Sequence, residues 1–158
     1  MEKEDILNTK TEPSKVHVIL AHSYLLTFFL FLIGIILDFS FRLEFFRHTS
    51  FAYTGTLLIL LGTLLIFWAQ KTSRRLDIKN LTKKTFLEGP YGITRSPTHW
   101  GLLFLTAGFG IIGNAFFIVL TSIIAFIISK MIFLKKEEKI LAKKYGAPYL
   151  EYKKQIKY

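Results

Sequence analysis

The first long apolar stretch limits the possible folds more than any other feature of the chain. Residues 16–37 carry no formally charged side chain, and about 20 apolar residues suffice for a helix to cross a hydrocarbon core of about 30 Å. Residues 51–69 form a second such stretch, in which Gly55 and Gly62 allow close helix contact. The first stretch is too long for a signal-peptide core, and no small-residue cleavage site follows it, so we interpret it as a retained membrane helix.

Composition and the placement of charge also favour a membrane protein. Hydrophobic residues make up 51% of the 158 residues, and charged residues only 20%. The net charge of +10 comes from basic residues beside the apolar stretches, where they favour anionic lipid headgroups, so we predict membrane lipids and no nucleic acid as partners. The chain has no cysteine, which excludes disulfides, thiolate metal sites and a cysteine nucleophile, and we predict no metal site.

The apolar stretch at residues 101–134 predicts a helical hairpin. As a single helix it would extend to about 51 Å, too far for one span, yet it is too short for two full spans. Three glycines and an asparagine cluster between residues 108 and 114, where a turn would fall. We therefore predict a short third helix at about 97–111 and a longer fourth helix at about 115–134. One long tilted helix, kinked at the glycines, is the alternative.

The distribution of lysine and arginine predicts the orientation. Both are frequent in the N-terminal segment, in the connection after the second span and after residue 134, and sparse in the other two connections. Four spans place the three rich segments together on the cytoplasmic side. We predict an all-α integral membrane protein with four transmembrane helices, the last two a helical hairpin. Residues 1–15 are a mobile tail and 16–158 a single domain, with a cytoplasmic connection at 70–96, a cytoplasmic C-terminal helical tail at 135–158, and both termini cytoplasmic.

A turn-rich polar segment at residues 88–101 lies between the apolar stretches and holds most of the candidate site chemistry. Its glycines make a helix improbable before Ser96, whereas Ser96-Pro97 has the residue types of a helix start. The apolar helix that follows would direct its positive end at this segment, and such an end attracts carboxylate or phosphate groups. Alternatively, the segment is only a loop between two membrane helices.

Two adjacent carboxylates follow the fourth predicted helix. If that helix continues, Glu137 shares a face with the apolar side chains of Phe133, Ile140 and Leu141. A carboxylate turned towards the protein at the depth of the membrane surface would favour a cationic ligand. In the alternative, Glu137 and Glu138 both pair with the surrounding lysines on a solvated helix.

Several short motifs, taken in order, resemble one known family. They are Gly89-Pro90-Tyr91, Arg95-x-Pro97-x-x-x-Gly101, the glycine-broken apolar hairpin, Glu137-Glu138, and Tyr145-Gly146-x-x-Tyr149-x-x-Tyr152-Lys153-Lys154. From about Lys83 to its end the chain is thereby similar to the isoprenylcysteine carboxyl methyltransferases and the related phospholipid methyltransferases, which are integral membrane enzymes.

The resemblance implies S-adenosylmethionine as cofactor and methyl transfer to a lipophilic substrate, such as a small molecule or a lipid embedded in the membrane; carboxyl O-methylation is one such reaction. On that resemblance we predict His99 and Arg95 as catalytic residues, with the His99 imidazole as a hydrogen-bonding group or a base. The cofactor-binding residues that the resemblance implies are Lys83, Lys84, Thr85, Phe86, Tyr91, Ser96, Pro97, Thr98, His99 and Glu137.

Three positions differ from the family pattern. Ser96 stands where the family has a histidine, and His99 stands where it has a tyrosine. Phe133 stands where the prenylcysteine enzymes carry an arginine for the substrate carboxylate, which favours a substrate other than prenylcysteine.

Two other functions stay open from the sequence. In a nicotinamide-dependent membrane reductase, Lys83, Lys84 and Arg95 would hold phosphate groups. A non-catalytic membrane protein on the same scaffold is the other possibility, and the residues at positions 96 and 99 are compatible with it.

Overall fold

The structure, a computed structural model, describes residues 2–41, 43, 49–74 and 83–156, and the side chains from residue 16 onwards except those of residues 49 and 83. In this part of the chain the regular elements are all helices. They are α1 (Glu2–Phe41), α2 (Thr49–Arg74), α3 (Lys83–Phe86), a 3₁₀ turn (Gly89–Gly92), α4 (Pro97–Ile112), α5 (Phe116–Ile128), a π-helical segment (Ser129–Leu134), α6 (Lys135–Tyr145) and α7 (Ala147–Gln155).

Three helical stretches are long and apolar enough to cross a membrane. Among the described residues these are Val16–Phe41, Ser50–Arg74 and Phe116–Tyr145. The helix Pro97–Ile112 is apolar but shorter, as the hairpin interpretation predicts. The structure thus agrees with three or four membrane-crossing helices, and large apolar side chains such as Leu64 and Phe67 are exposed on the bundle surface because lipid is their solvent.

The predicted boundaries differ from the observed ones at two ends. Helix α1 begins at Glu2, so the predicted mobile tail has a helical backbone from residue 2, and its mobility stays a prediction. The fourth helix does not end at Leu134, because α5, the π-helical segment and α6 follow one another without a break to Tyr145. Parts of the two predicted connections, residues 42, 44–48 and 75–82, lie outside the described residues.

Helices α2 and α4 pack at backbone contact through paired glycines. A Cβ atom on Gly62 would lie 2.6 Å from the carbonyl oxygen of Gly101, and one on Gly108 would lie 2.7 Å from that of Gly55. Only residues without a side chain allow this approach, which is a common way for membrane helices to gain packing energy. The contact fixes the start of α4 against the second half of α2.

The turn between α4 and α5 confirms the predicted hairpin. Asn114 has a positive φ of 53°, and the amide of Ala115 donates to the carbonyl oxygen of Gly110 at 2.7 Å. Asp38 of α1 caps the next helix from outside it, because its two carboxylate oxygens accept from the amides of Phe117 (3.0 Å) and Ile118 (2.9 Å). A carboxylate at a helix N-terminus satisfies orphan donors and complements the helix dipole.

Candidate active site

A cavity of about 300 Å³ lies at one end of the bundle, where the first turns of the apolar part of α1 meet the last turn of α2, α3, α6 and α7. Its size is at the lower limit of small-molecule sites, roughly 300–1,000 Å³. Its lining residues are Val16, His17, Leu20, Thr72, Ser73, Thr85, Phe86, Tyr91, Arg95, Glu137, Leu141, Lys144, Tyr145, Tyr149 and Tyr152.

An aromatic cluster forms one wall of this cavity. The ring of Phe86 lies 5.3 Å from that of Tyr145, 5.6 Å from Tyr149 and 5.8 Å from Tyr152, centroid to centroid. The Tyr152 hydroxyl donates to the backbone oxygen of Tyr91 at 2.9 Å. Burial raises the pKa of the Tyr149 and Tyr152 phenols above the usual value, so both are neutral at physiological pH. This wall joins α3, the 3₁₀ turn and α7.

Tyr91 presents its phenol to the cavity from the 3₁₀ turn. Burial raises the pKa of this phenol, and hydrogen bonding with the hydroxyls of Ser73 and Thr98 partly offsets that effect. The nearby Glu137 carboxylate raises the pKa further. Tyr91 is thus a neutral hydrogen-bonding group between the end of α2, the start of α4 and the acidic side of the cavity.

The Glu137 side chain places a buried acidic group in the wall of the cavity. It is only 9% exposed, and among the described residues its Oε1 has no hydrogen-bond partner. A buried carboxylate oxygen is costly to leave unpaired, so a ligand that brings a cationic or hydrogen-donating group would relieve that cost. The solvated-helix interpretation is wrong for Glu137, because the side chain is buried in a cavity wall.

Glu138 is buried beside it and forms ion pairs with two cations. Its Oε1 lies 2.6 Å from Nη1 of Arg95, and its Oε2 lies 2.7 Å from Nζ of Lys153. The pairing with a lysine was the alternative interpretation, yet the carboxylate is 6% exposed rather than solvated. The three residues tie α6 and α7 to the segment before α4, and Arg95 also lines the cavity.

Comparison with known families identifies the family. The model of the phospholipid methyltransferase family matches residues 51–148, more than half of the chain. The chain belongs to this family. The resemblance inferred from the motifs is therefore confirmed, and membership in a family of membrane methyltransferases, together with the long apolar helices, makes the chain an integral membrane protein. No curated protein and no solved structure shows significant similarity to it.

The residues implied by the family resemblance divide into two groups in the structure. Thr85, Phe86, Tyr91, Arg95 and Glu137 come together around the cavity. Residues 96–99, which replace the family's His-Pro-x-Tyr pattern, are not part of the cavity lining. Lys84 is exposed, and the side chain of Lys83 is outside the described part.

The helix start at Pro97 is confirmed, but Ser96 does not cap it. Ser96 has φ −133° and ψ 57°, and its hydroxyl makes no capping hydrogen bond. The Ser96 side chain is buried, and its Oγ has no partner among the described residues. Pro97 and His99 are also buried, and Nε2 of His99 lies 3.1 Å from Oγ of Ser23 in α1. Thr98 reaches the site through Tyr91.

Sequence reasoning did not identify the cavity residues of α1 and α2, and it did not assign the C-terminal tyrosines to the site. The spans carry no motif, so nothing in them marks Val16, His17 and Leu20 of α1 or Thr72 and Ser73 of α2. Tyr145, Tyr149 and Tyr152 did belong to the quoted motif, and their three- and four-residue spacing puts them on one side of the chain end. Within the described residues, no three acidic, histidine or cysteine side chains form a metal site.

Proposed function

We propose that this protein transfers a methyl group from S-adenosylmethionine to an acceptor atom of a lipophilic substrate held in the bilayer. Family membership supports the methyl transfer. The single observation that supports the cofactor is the buried Glu137 carboxylate, whose Oε1 lacks a partner among the described residues in an aromatic cavity.

The residues of the cavity fit such a cofactor group by group. The Glu137 carboxylate complements the amino group and the sulfonium. The aromatic wall offers the faces and edges that an adenine ring stacks against. Lys144 and Arg95, which also line the cavity, supply the positive charge that the cofactor carboxylate needs. We therefore propose these side chains, rather than the α4 helix end, as its anchor.

When bound, the cofactor supplies an electrophilic methyl group on its sulfonium. The protein has to hold the acceptor in line with it and exclude water, since orientation alone contributes a large part of such a rate enhancement. Tyr91, fixed by the Tyr152 hydroxyl at its backbone and by Ser73 and Thr98 at its phenol, is a positioned hydrogen-bonding group at the cavity. Arg95, whose guanidinium is held by Glu138, gives a positive charge at a fixed place.

The cavity's position in the bundle fits a lipophilic substrate. It lies where α1 enters and α2 leaves the apolar region, on the side of the chain's basic segments, which we propose to be cytoplasmic. A hydrophobic acceptor would reach it laterally from the bilayer while its polar end stays at the headgroup level. Phe133, with no charge for a substrate carboxylate, favours an acceptor other than prenylcysteine.

Glu137→Gln is the decisive variant for this proposal. The substitution removes the carboxylate charge and keeps the volume of the side chain. A charge-assisted hydrogen bond contributes about 1.5–3 kcal/mol, so we expect binding of S-adenosylhomocysteine or S-adenosylmethionine to weaken roughly tenfold or more. The measurement is calorimetric titration of the detergent-solubilised protein. Glu151→Gln is the matched control, because Glu151 is an exposed glutamate of α7 and its loss should leave binding unchanged.

The alternatives are outcomes of the same titration. Binding of a reduced nicotinamide without binding of either sulfonium-derived ligand would favour the reductase. Folded protein that binds neither class of ligand would favour a non-catalytic scaffold. Equal affinity of wild type and Glu137→Gln for S-adenosylhomocysteine would remove Glu137 from the site.

A further inference from the structure

The buried face of the last membrane helix changes register at the π-helical segment. Through α5 the buried positions follow one another at three- and four-residue intervals as far as Ser129. The next buried position is Leu134, five residues later, and the stripe then continues through Glu137 and Glu138. One extra residue has thus entered the helix between Ser129 and Leu134.

This extra residue decides which side chains of α6 face the cavity. An α-helix has 3.6 residues per turn, so residues seven apart lie nearly in line. Without the π-helical segment, Lys136 would therefore follow Ser129 on the inner face. In the structure Lys136 is exposed and the two glutamates are buried, because the wider turn of Ser129–Leu134 has shifted α6 by one residue.

A chain of buried hydrogen bonds holds the residue at which the wide turn begins. Oγ of Ser23 donates to Oγ of Ser129 at 3.0 Å, and Nε2 of His99 lies 3.1 Å from the same Ser23 oxygen. All three side chains are at most 3% exposed, so the bonds form away from competing solvent.

The sequence of the wide turn does not itself require it. A break in the helix ladder usually has a proline, a glycine pair or an inserted side chain as its cause, and Ser129–Leu134 contains neither proline nor glycine. The π-helix is rare and is found preferentially at functional sites. Ser129 accepts a hydrogen bond from Ser23 of α1, whereas the hydroxyls of Thr121 and Ser122 donate to carbonyl oxygens within α5.

We propose that Ser23 and His99 are positioning residues for Glu137. They hold Ser129, and with it the π register that turns the Glu137 carboxylate into the cavity. The register is a property of the helix alone, and only its consequence for cofactor affinity rests on the proposed function. His99 thus acts through the helix, at the position where the family has a tyrosine.

Cysteine labelling tests the register without any ligand. The chain has no cysteine of its own, so Lys136→Cys gives a single thiol at an exposed position that a water-soluble maleimide reaches. Adding Ser129→Ala should slow the labelling, because an α-helical register turns position 136 inwards. Ser122→Ala is the matched control, because Ser122 is a buried serine on the same helix and its hydroxyl donates to the carbonyl oxygen of Ile118. It should leave the labelling rate unchanged.

Deleting one residue of the wide turn distinguishes a positioning role of Ser129 from a role in packing alone. Removal of Met131, an exposed residue inside the wide turn, takes out the extra residue and lets an ordinary α-helix present Glu137 to the cavity. Ser129→Ala should weaken S-adenosylhomocysteine binding roughly tenfold if the competent register falls to a tenth of the molecules. The double variant, Ser129→Ala with Met131 deleted, should recover both the affinity and the fast labelling at position 136.

The outcomes are distinct. Unchanged labelling in Ser129→Ala overturns the proposal, as does a deletion that restores neither labelling nor affinity. Where Ser129→Ala does not fold, Ser23→Ala removes the same bonds from α1 and gives the same test. If wild-type protein binds no S-adenosylhomocysteine, the proposed function fails while the labelling result still decides the register.

Discussion

Removing the charge of Glu138 should loosen the chain around the cavity more than any single surface change. This carboxylate joins Arg95, before α4, to Lys153 of α7, through contacts of 2.6 Å and 2.7 Å. Glu138→Gln keeps the side-chain volume and one carbonyl oxygen, so it tests the charge rather than the packing.

The two halves of this interaction should differ in energy. The Arg95 side chain is 18% exposed and the Lys153 side chain 41%. Breaking a buried ion pair by removing one of its charges costs about 3–5 kcal/mol, and the glutamine oxygen retains a hydrogen bond of about 1 kcal/mol. The solvated lysine pair contributes under about 1 kcal/mol. We therefore expect a loss of about 3 kcal/mol for Glu138→Gln and less than about 1 kcal/mol for Lys153→Gln.

The assay is the free energy of unfolding in mixed micelles, titrated with a denaturing detergent. Glu138→Gln, Lys153→Gln and the double variant form a cycle that isolates the lysine half. If Glu138→Gln stays within about 0.5 kcal/mol of wild type, a range typical of surface substitutions, the arginine half is not a buried ion pair and the reasoning fails. Equal losses for the two single variants would contradict it as well.

Three further perturbations test the fold. Asp38→Asn should cost about 1–2 kcal/mol in the same assay, because a charged acceptor is lost from the start of α5. Gly62→Ala should cost about 2 kcal/mol or more, since its Cβ would meet the backbone of α4 at 2.6 Å, whereas Gly113→Ala, with its nearest contact at 3.3 Å, should cost under about 1 kcal/mol. Burial raises the pKa of the Tyr149 and Tyr152 phenols in the folded protein. The unfolded chain therefore loses these protons first, so the contribution of the two phenols to the free energy of unfolding is complete below about pH 10 and should be lost as the pH rises further. The thermal midpoint should therefore fall in that range, and less so in Tyr152→Phe.

The sequence predicted the features that depend on hydropathy and on turn residues. A helix that crosses the hydrocarbon core has to be long and apolar, and glycines are frequent in turns such as the one between α4 and α5. The spans and the hairpin can therefore be predicted from local patterns. The inward orientation of Glu137 also followed from its spacing to apolar neighbours, because three- and four-residue periodicity reports a helix face.

The contacts between distant segments could not be predicted in the same way. Nothing local says that Asp38 would cap a helix that starts at Phe116, or that Ser96 would fail to cap its own. A pattern with a period of 3.6 residues cannot predict a π-helical segment. The predicted inner face of the helix therefore included Phe133, whereas the structure buries Leu134. The cavity residues of α1 and α2 carry no motif, and only the packed bundle brings them to the site.

The walls of the cavity come from the two ends of the described chain, with Val16 of α1 on one side and Tyr152 of α7 on the other. During synthesis α7 leaves the ribosome after the long apolar helices, because it follows them in the chain. A nascent or truncated chain that stops before Ala147 would therefore already be anchored in the bilayer but would lack the wall that closes around Phe86. The cavity is thus completed only by the last described helix, so a product truncated before Ala147 would be anchored in the membrane with one wall of the cavity missing.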